Sequence, residues 1–249
     1  MKPLVILFII IFYFIFKIYY KKKNKMISPD EYDIIYNPGS YFGFYTLGIG
    51  HYVKNNFDIS NKKTVGISAG SWLSIFMNLN KIDSNKFIKQ LFKKIHYTYP
   101  LHKLPKLLEK TLYDVKGENI NISNINIMVS NMNDYTLDVH SNFLSLNDAV
   151  RCCMASSFIP LITYKDIFYF YKNKSTLDGM LFKKFYLKKV NTEKTLVIKF
   201  DMFGRFTKNK TYKSNFNPGR SLYDLYILGY RDAVKNHSYF TKYLNVINK

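Results

Sequence analysis

The stretch that most constrains this chain is Gly66-Ile67-Ser68-Ala69-Gly70, a G-x-S-x-G pentapeptide between two apolar runs of different period. Lys63 to Ile67 reads as a strand and Ala69 to Leu79 as a helix, so Ser68 stands on the turn between them. A strand that passes directly into a helix is the repeating unit of a parallel sheet. The turn also suits a nucleophile. Glycines at 66 and 70 keep Cβ atoms out of a crowded bend, and the hydroxyl stands clear of the backbone. The helix N-terminus supplies free N–H groups and a positive partial charge to a developing oxyanion. The pentapeptide by itself leaves two readings open, a nucleophile or a tight turn whose serine caps the helix.

The rest of the chain alternates in the same way. Tyr32 to Tyr36 predicts a first strand, broken by Asn37-Pro38-Gly39-Ser40, and Phe44 to Val53 has helical spacing with Gly48 and Gly50 on it. Further strands are expected at Ile125–Ser130, Tyr135–His140 and Thr195–Phe200, and helices at Asp83–Tyr97 and His102–Tyr113. Ser145…Asp148 and Ser221…Asp224 fit capping boxes opening helices that run to Ala155 and to about His237. No internal repeat is visible. With 47% hydrophobic residues in 249, one sizeable α/β domain over residues 26–249 is expected.

Residues 1–25 stand apart. Leu4 to Phe16 is unbroken apolar sequence, Lys17 can snorkel, and Ile18, Tyr19 and Tyr20 continue the run to Lys21, Lys22, Lys23 and Lys25. The span is about 17 residues, near the lower limit for a transmembrane helix. Cations on its C-terminal flank predict a single-pass anchor with the domain on the cytoplasmic side. Tyr and Lys occupy the place where a signal peptide would carry small residues, which favours an uncleaved anchor.

The net charge of +20 comes from 37 Lys and Arg against 17 Asp and Glu, and nearly all of the excess is Lys. Such a surface favours anionic partners such as lipid headgroups, or is simply a solvated face. Nucleic acid is not expected, because no recognition motif accompanies the charge and Lys lacks the bidentate fork of Arg. Cys152 and Cys153 are adjacent, so no disulfide framework exists, and no Cys/His spacing resembles a zinc site. No cofactor is called for.

A nucleophilic serine needs a base. Thr176-Leu177-Asp178-Gly179 puts an acid at the end of a short expected strand, where it can face an active site or serve as an ordinary turn residue. At this point the order of motifs resembles the patatin-like phospholipases. Pro38-Gly39-Ser40-Tyr41-Phe42-Gly43 resembles their glycine-rich loop, followed by a helix with Leu47-Gly48. The pentapeptide at 66–70 comes next, then Ala155-Ser156-Ser157-Phe158-Ile159-Pro160, then Asp178-Gly179, then Gly229-Tyr230-Arg231-Asp232-Ala233 as in the last helix of animal-type members. The match runs from about residue 33 to about 237. The resemblance implies a three-layer α/β sandwich with a mostly parallel sheet. It implies a metal-free acyl hydrolase of phospholipids or neutral acylglycerols, with Ser68 as nucleophile and Asp178 as general base. The oxyanion hole would be the N–H groups of Gly39 and Ser40, with Ala69 as a further contributor, and Gly43, Gly66, Gly70 and Gly179 would support the motifs.

Pro38, Ser40, Phe42 and Met180 depart from the family pattern, which bears on rate and substrate range and leaves a catalytically impaired lipid-binding or scaffold member as one alternative. A Ser–His–Asp esterase is another, since Ser68, Asp201 and His237 follow the chain order of α/β-hydrolases. His51, His96, His102 and His140 read as surface or helix-end residues. Ile167-Phe168-Tyr169-Phe170-Tyr171 reads either as a buried strand or loop or as an aromatic stretch that dips into a lipid interface.

Overall fold

The computed structural model describes residues 27–95, 99–115, 120–188, 190–204, 206 and 221–247. The expected anchor lies outside them, as does His96. Among the described residues no helix is long and apolar enough to cross a membrane.

The chain is α/β, with a mostly parallel central sheet and helices on both faces. Its parallel core is β8 (Leu196–Ile198), β1 (Ile34–Tyr36), β3 (Thr64–Ile67) and β4 (Ile125–Asn131), in that order. Antiparallel β5 (Thr136–His140) lies along the free side of β4. The hairpin β6 (Tyr169–Tyr171) and β7 (Lys174–Leu177) joins β4 at Ser130 and Asn131. A separate small ribbon pairs β2 (Phe57–Asp58) with β9 (Asn245–Val246).

Side chains alternate across the sheet with the strand period of two. Ile34, Tyr36, Ile125, Ile127 and Val129 enter the large core. Ile35, Val65, Ile67 and Met128 enter a smaller one on the opposite face. The large core is covered by α1 (Gly43–Asn56), α2 (Ala69–Asn78), α3 (Lys81–Lys94), α4 (Leu104–Asp114), α5 (Leu146–Ser156) and α7 (Leu222–Lys235). The other face carries α6 (Met180–Tyr186), which buries Phe182.

Local chemistry accounts for most boundaries. Asn80 caps α3 by accepting the Asp83 N–H at 2.8 Å, so this helix begins at Lys81 rather than Asp83, and it ends at Lys94. Ser221 and Asp224 form the expected reciprocal box. The helix it opens stops at Lys235, and Asn236 separates it from a short α8 (His237–Phe240). Ser145 accepts the Asp148 N–H at 3.2 Å, but the Asp148 carboxylate reaches the N–H of Leu144, the Tyr171 hydroxyl and the Lys172 ammonium. That box is therefore half-formed, because the acid is spent on tying α5 to β6. Tyr135 takes a positive φ of 54° in the turn, which moves the start of β5 to Thr136.

His51 corrects the expectation of a surface histidine. It lies buried in α1, with Nδ1 2.6 Å from the Tyr226 hydroxyl and Nε2 3.0 Å from Asn85 Oδ1. Burial lowers its pKa, so it is a neutral ring joining α1, α7 and α3.

Candidate active site

Strand register brings the serine and the acid together. Ile67 of β3 pairs with Met128, and Leu177 of β7 pairs with Ser130 on the same side of β4, since β5 occupies the other side of both positions. One strand is parallel to β4 and the other antiparallel. They therefore run toward each other and stop one β4 residue apart, at the level of Val129. Ser68 and Asp178 are the residues that follow those two ends.

Their side chains meet. Ser68 Oγ donates to Asp178 Oδ2 at 2.6 Å. Ser68 has φ 55° and ψ −124°, a left-handed conformation that non-glycine residues seldom adopt. The conformation is held from several sides. The Ser68 N–H donates to Ser156 Oγ at 2.8 Å, and that hydroxyl donates onward to the Met128 carbonyl at 2.7 Å. The Ser68 carbonyl accepts Ser71 N–H and Oγ. Packing explains the flanking glycines. A Cβ on Gly66 would lie 2.4 Å from the Gly70 oxygen, and one on Gly70 would lie 2.1 Å from the Tyr36 oxygen. Of the two readings of this serine, capping is not realised, since its side chain makes no cap hydrogen bond to α2.

Both carboxylate oxygens of Asp178 are engaged. Oδ1 accepts the Met180 N–H at 2.8 Å, the ordinary turn bond, while Oδ2 takes the Ser68 hydroxyl. The backbone is fixed by Asp178 N–H to Phe158 O at 2.9 Å, Gly179 N–H to Ser156 O at 3.0 Å, and Ser130 Oγ to Asp178 O at 2.8 Å. The residue keeps some accessible surface, yet protein crowds its carboxyl and burial pushes the pKa up to about 6, against the lowering pull of the bonds from Ser68 and Met180. A group that must be ionised to accept a proton then gives a rising acid limb. Activity in kcat/KM is expected to climb about tenfold per pH unit below about 6 and to level above it. A profile flat from pH 4 to pH 8 would count against Asp178 as the base.

The departures at 38–42 and 180 are accommodated. Met180 contributes through its N–H, which any residue but proline supplies, whereas a Cβ on Gly179 would lie 2.4 Å from the Met128 oxygen. Ser40 has φ 48° where glycine would be freer. Phe42 stacks on Phe200 at 5.1 Å and packs against the tilted ring of Phe206 at 4.7 Å, so it buries a face where a cation would be solvated. Pro38 has no N–H, but the N–H groups of Gly39, Ser40 and Ala69 find no protein acceptor among the described residues. Ser40, Gly43, Ser68 and Ala69 all line one cleft. Ser40 and Ala69 share this cleft with the Ser68 hydroxyl at the N-terminus of α2, where unbonded N–H groups can hold an oxyanion.

That cleft, about 740 Å³ with its open mouth, extends from Ser68 between α1, α2 and α4 and is walled by apolar side chains such as Phe44, Leu47, Trp72, Phe76, Leu104 and Leu108. Sequence reasoning missed this chamber, because its walls come from helices far apart in the chain. It also missed Ser156, Ser130 and Lys183. The Lys183 ammonium donates to Asn37 Oδ1 at 2.7 Å, steadying the strand end that leads into the donor loop. Burial lowers its pKa to about 8.

The alternative triad is not assembled. His237 Nδ1 is 2.8 Å from the Tyr52 hydroxyl and its ring stacks on Phe57 at 4.9 Å, while Asp201 pairs with Lys199 at 3.4 Å. Neither has a hydrogen bond to Ser68. No family model matches the chain, and no curated protein matches it.

Proposed function

We propose that this chain is a serine carboxylic-ester hydrolase of the patatin-like type, acting on lipid acyl esters. The observation that carries the reading is the 2.6 Å bond from Ser68 Oγ to Asp178 Oδ2 at the head of an apolar cleft. An acyl chain fits such walls, and its ester carbonyl would then lie beside the serine. Asp178 takes the hydroxyl proton as Oγ attacks the carbonyl carbon, and the N–H groups of Gly39, Ser40 and Ala69 receive the oxyanion. Collapse expels the alcohol, which takes the proton back from Asp178 and leaves an acyl-serine. Water then gives its proton to Asp178 and attacks that ester, and the proton returns to Ser68 as the fatty acid leaves. The chemistry needs neither metal nor cofactor. Membrane phospholipids or neutral lipids are the proposed substrates, reached from a single-pass anchor in residues 1–25 with the domain on the cytoplasmic side. Tethering raises the local concentration of enzyme at lipid.

A fluorophosphonate probe tests the nucleophile. Wild type is expected to label and Ser68→Ala to lose labelling and ester hydrolysis completely. No labelling of a folded wild type would favour the impaired scaffold instead. The cleft has its own reporter, since Trp72 is the chain's one tryptophan and its Nε1 donates to Ser157 Oγ at 3.1 Å inside it. A long-chain fatty acid added to Ser68→Ala is expected to shift Trp72 fluorescence, and a short-chain acid at the same concentration is not.

A further inference from the structure

Two features flank the mouth of the cleft, and neither has a role in the chemistry. The first is an apolar lip. Leu161, Ile162, Ile167, Phe168 and Phe170 are between 38% and 67% exposed, five large apolar side chains in ten consecutive residues. Local structure holds them outward. Ile162 and Thr163 N–H groups return to Ile159 O, and Thr163 Oγ1 accepts the Ile159 N–H at 2.7 Å. Leu161 has φ 60°, a conformation leucine rarely adopts. Beneath the lip, Tyr164 stacks on Phe158 at 5.0 Å, so the inner side of the segment is anchored while the outer side is bare. Exposed apolar side chains concentrated in one short segment mark an interaction site.

The second feature is a basic ridge. Along α4 and the turn that precedes it, Leu104, Pro105 and Leu107 turn inward, while Lys103, Lys106 and Lys110 are exposed and make no ion pair among the described residues. Their three- and four-residue spacing aligns them on one face. The ridge and the lip are neighbours, since the charge of Glu109 in α4 acts on Tyr164 and Tyr169 of the lip segment. Both also border the cleft, α4 through Leu104 and Leu108 and the lip segment through Ile159 and Thr163. Lys165 lies in the lip itself, and the opposing acids are Glu109 and Asp166.

We propose that this rim docks onto an anionic lipid bilayer, with the lip entering the headgroup and upper acyl region and the ridge lysines resting on the anionic headgroups. Exposed aliphatic and aromatic side chains beside a row of lysines match the two layers of a leaflet, apolar below and negative above. A protein partner would have to meet an apolar knob and a cationic ridge across an open cleft. A bilayer meets both and fills the cleft with one of its own lipids. The docking geometry does not require Ser68 to be a nucleophile, so binding and hydrolysis are tested apart.

The test uses the full chain with reporters on the rim, so that membrane association through residues 1–25 does not register. Cys152 and Cys153 are fully buried, which leaves an introduced cysteine as the reactive thiol. Ile162→Cys and Phe170→Cys are labelled with an environment-sensitive nitrobenzoxadiazole dye, and Asn61→Cys, exposed at the opposite end of β3, is the control. On vesicles of phosphatidylcholine with about one-third phosphatidylserine, dyes at 162 and 170 are expected to brighten several-fold and to be quenched by lipids spin-labelled in the upper acyl chain. The dye at 61 is expected to stay unchanged. Lys103→Gln/Lys106→Gln/Lys110→Gln is expected to weaken the response at least about tenfold on these vesicles and little on neutral ones. Co-sedimentation with vesicles while both rim dyes remain unaltered overturns the proposal. Brightening that depends on protein concentration without lipid also overturns it, and assigns the rim and the free edge of β6 to a second copy of the chain.

Discussion

Asp178→Asn is expected to abolish ester hydrolysis while making the folded protein more stable at neutral pH. The loss follows from removing the proposed base of Ser68, and it should reach roughly 10³–10⁴-fold in kcat/KM. The gain follows from the environment of the carboxyl. Its pKa stands at about 6 in the folded protein against 3.8 for a free side chain. An acid whose folded pKa is raised binds protons more tightly in the native state. Stability is therefore lost as pH rises from about 4 through about 6, and the full penalty applies above. Two pH units would amount to roughly 3 kcal/mol, and partial solvent access reduces this to about 1–2 kcal/mol. Asn keeps the geometry, since Oδ1 still accepts the Met180 N–H and Nδ2 can donate to Ser68 Oγ. The gain should appear in urea titrations at pH 7 and vanish near pH 4. Equal stability of the two proteins at pH 7 would mean that the carboxylate is better solvated than its surroundings indicate, and the raised acid limb of the activity profile would fail with it.

The raised pKa of Asp178 arises from packing by distant segments, and packing sets the limit of what could be read from the sequence. The strand–turn–helix around Ser68 was legible because its signals are local. β-branched residues to Ile67, two glycines around the serine, and helical spacing after it all lie within about three turns of chain. The Ser145 and Ser221 caps were legible for the same reason. Asp178 was legible only through the resemblance of its neighbours to a known motif order, because an Asp-Gly pair alone is an ordinary turn. What joins it to Ser68 is the register of two strands on one edge of β4, and register across more than a hundred residues leaves no local trace. Ser156 illustrates the limit. It sits in a small-residue segment quoted for the resemblance, yet its work, supporting the Ser68 N–H from below, depends on α5 crossing behind β3 and β4. The buried state of His51 was invisible because its partners, Tyr226 and Asn85, come from two other helices. The five exposed apolar residues at 161–170 carry the opposite lesson, since an aromatic run reads equally as core or as surface until packing decides.

Gly229→Ala is expected to destabilise the fold by about 3 kcal/mol or more, although one methyl group is added to a helix that prefers alanine. The reason is the approach of α7 to α1. A Cβ on Gly229 would stand 1.9 Å from the Tyr45 carbonyl oxygen, and a Cβ on Gly48 would stand 2.0 Å from the Tyr226 oxygen. Both obstacles are helix backbone, which cannot rotate aside as a side chain can. The helices must separate by roughly an ångström, and a packed interface does not absorb that shift locally. Separation strains the buried bond from Tyr45 Oη to Asp232 at 2.7 Å and the contact of His51 with Tyr226. It also displaces the N-terminal end of α1, where Gly39 and Ser40 present their N–H groups. Activity at low temperature, where the variant still folds, should therefore fall together with stability. Gly204→Ala is the control, since Gly204 has φ 69° but nothing within 4 Å of an added Cβ. Its cost is the backbone preference alone, about 1 kcal/mol. Urea unfolding followed by Trp72 fluorescence separates the two. If both variants lose the same small amount, the close crossing of α1 and α7 does not hold the donor loop, and the position of Gly39 and Ser40 must rest on Asn37 and Lys183 instead.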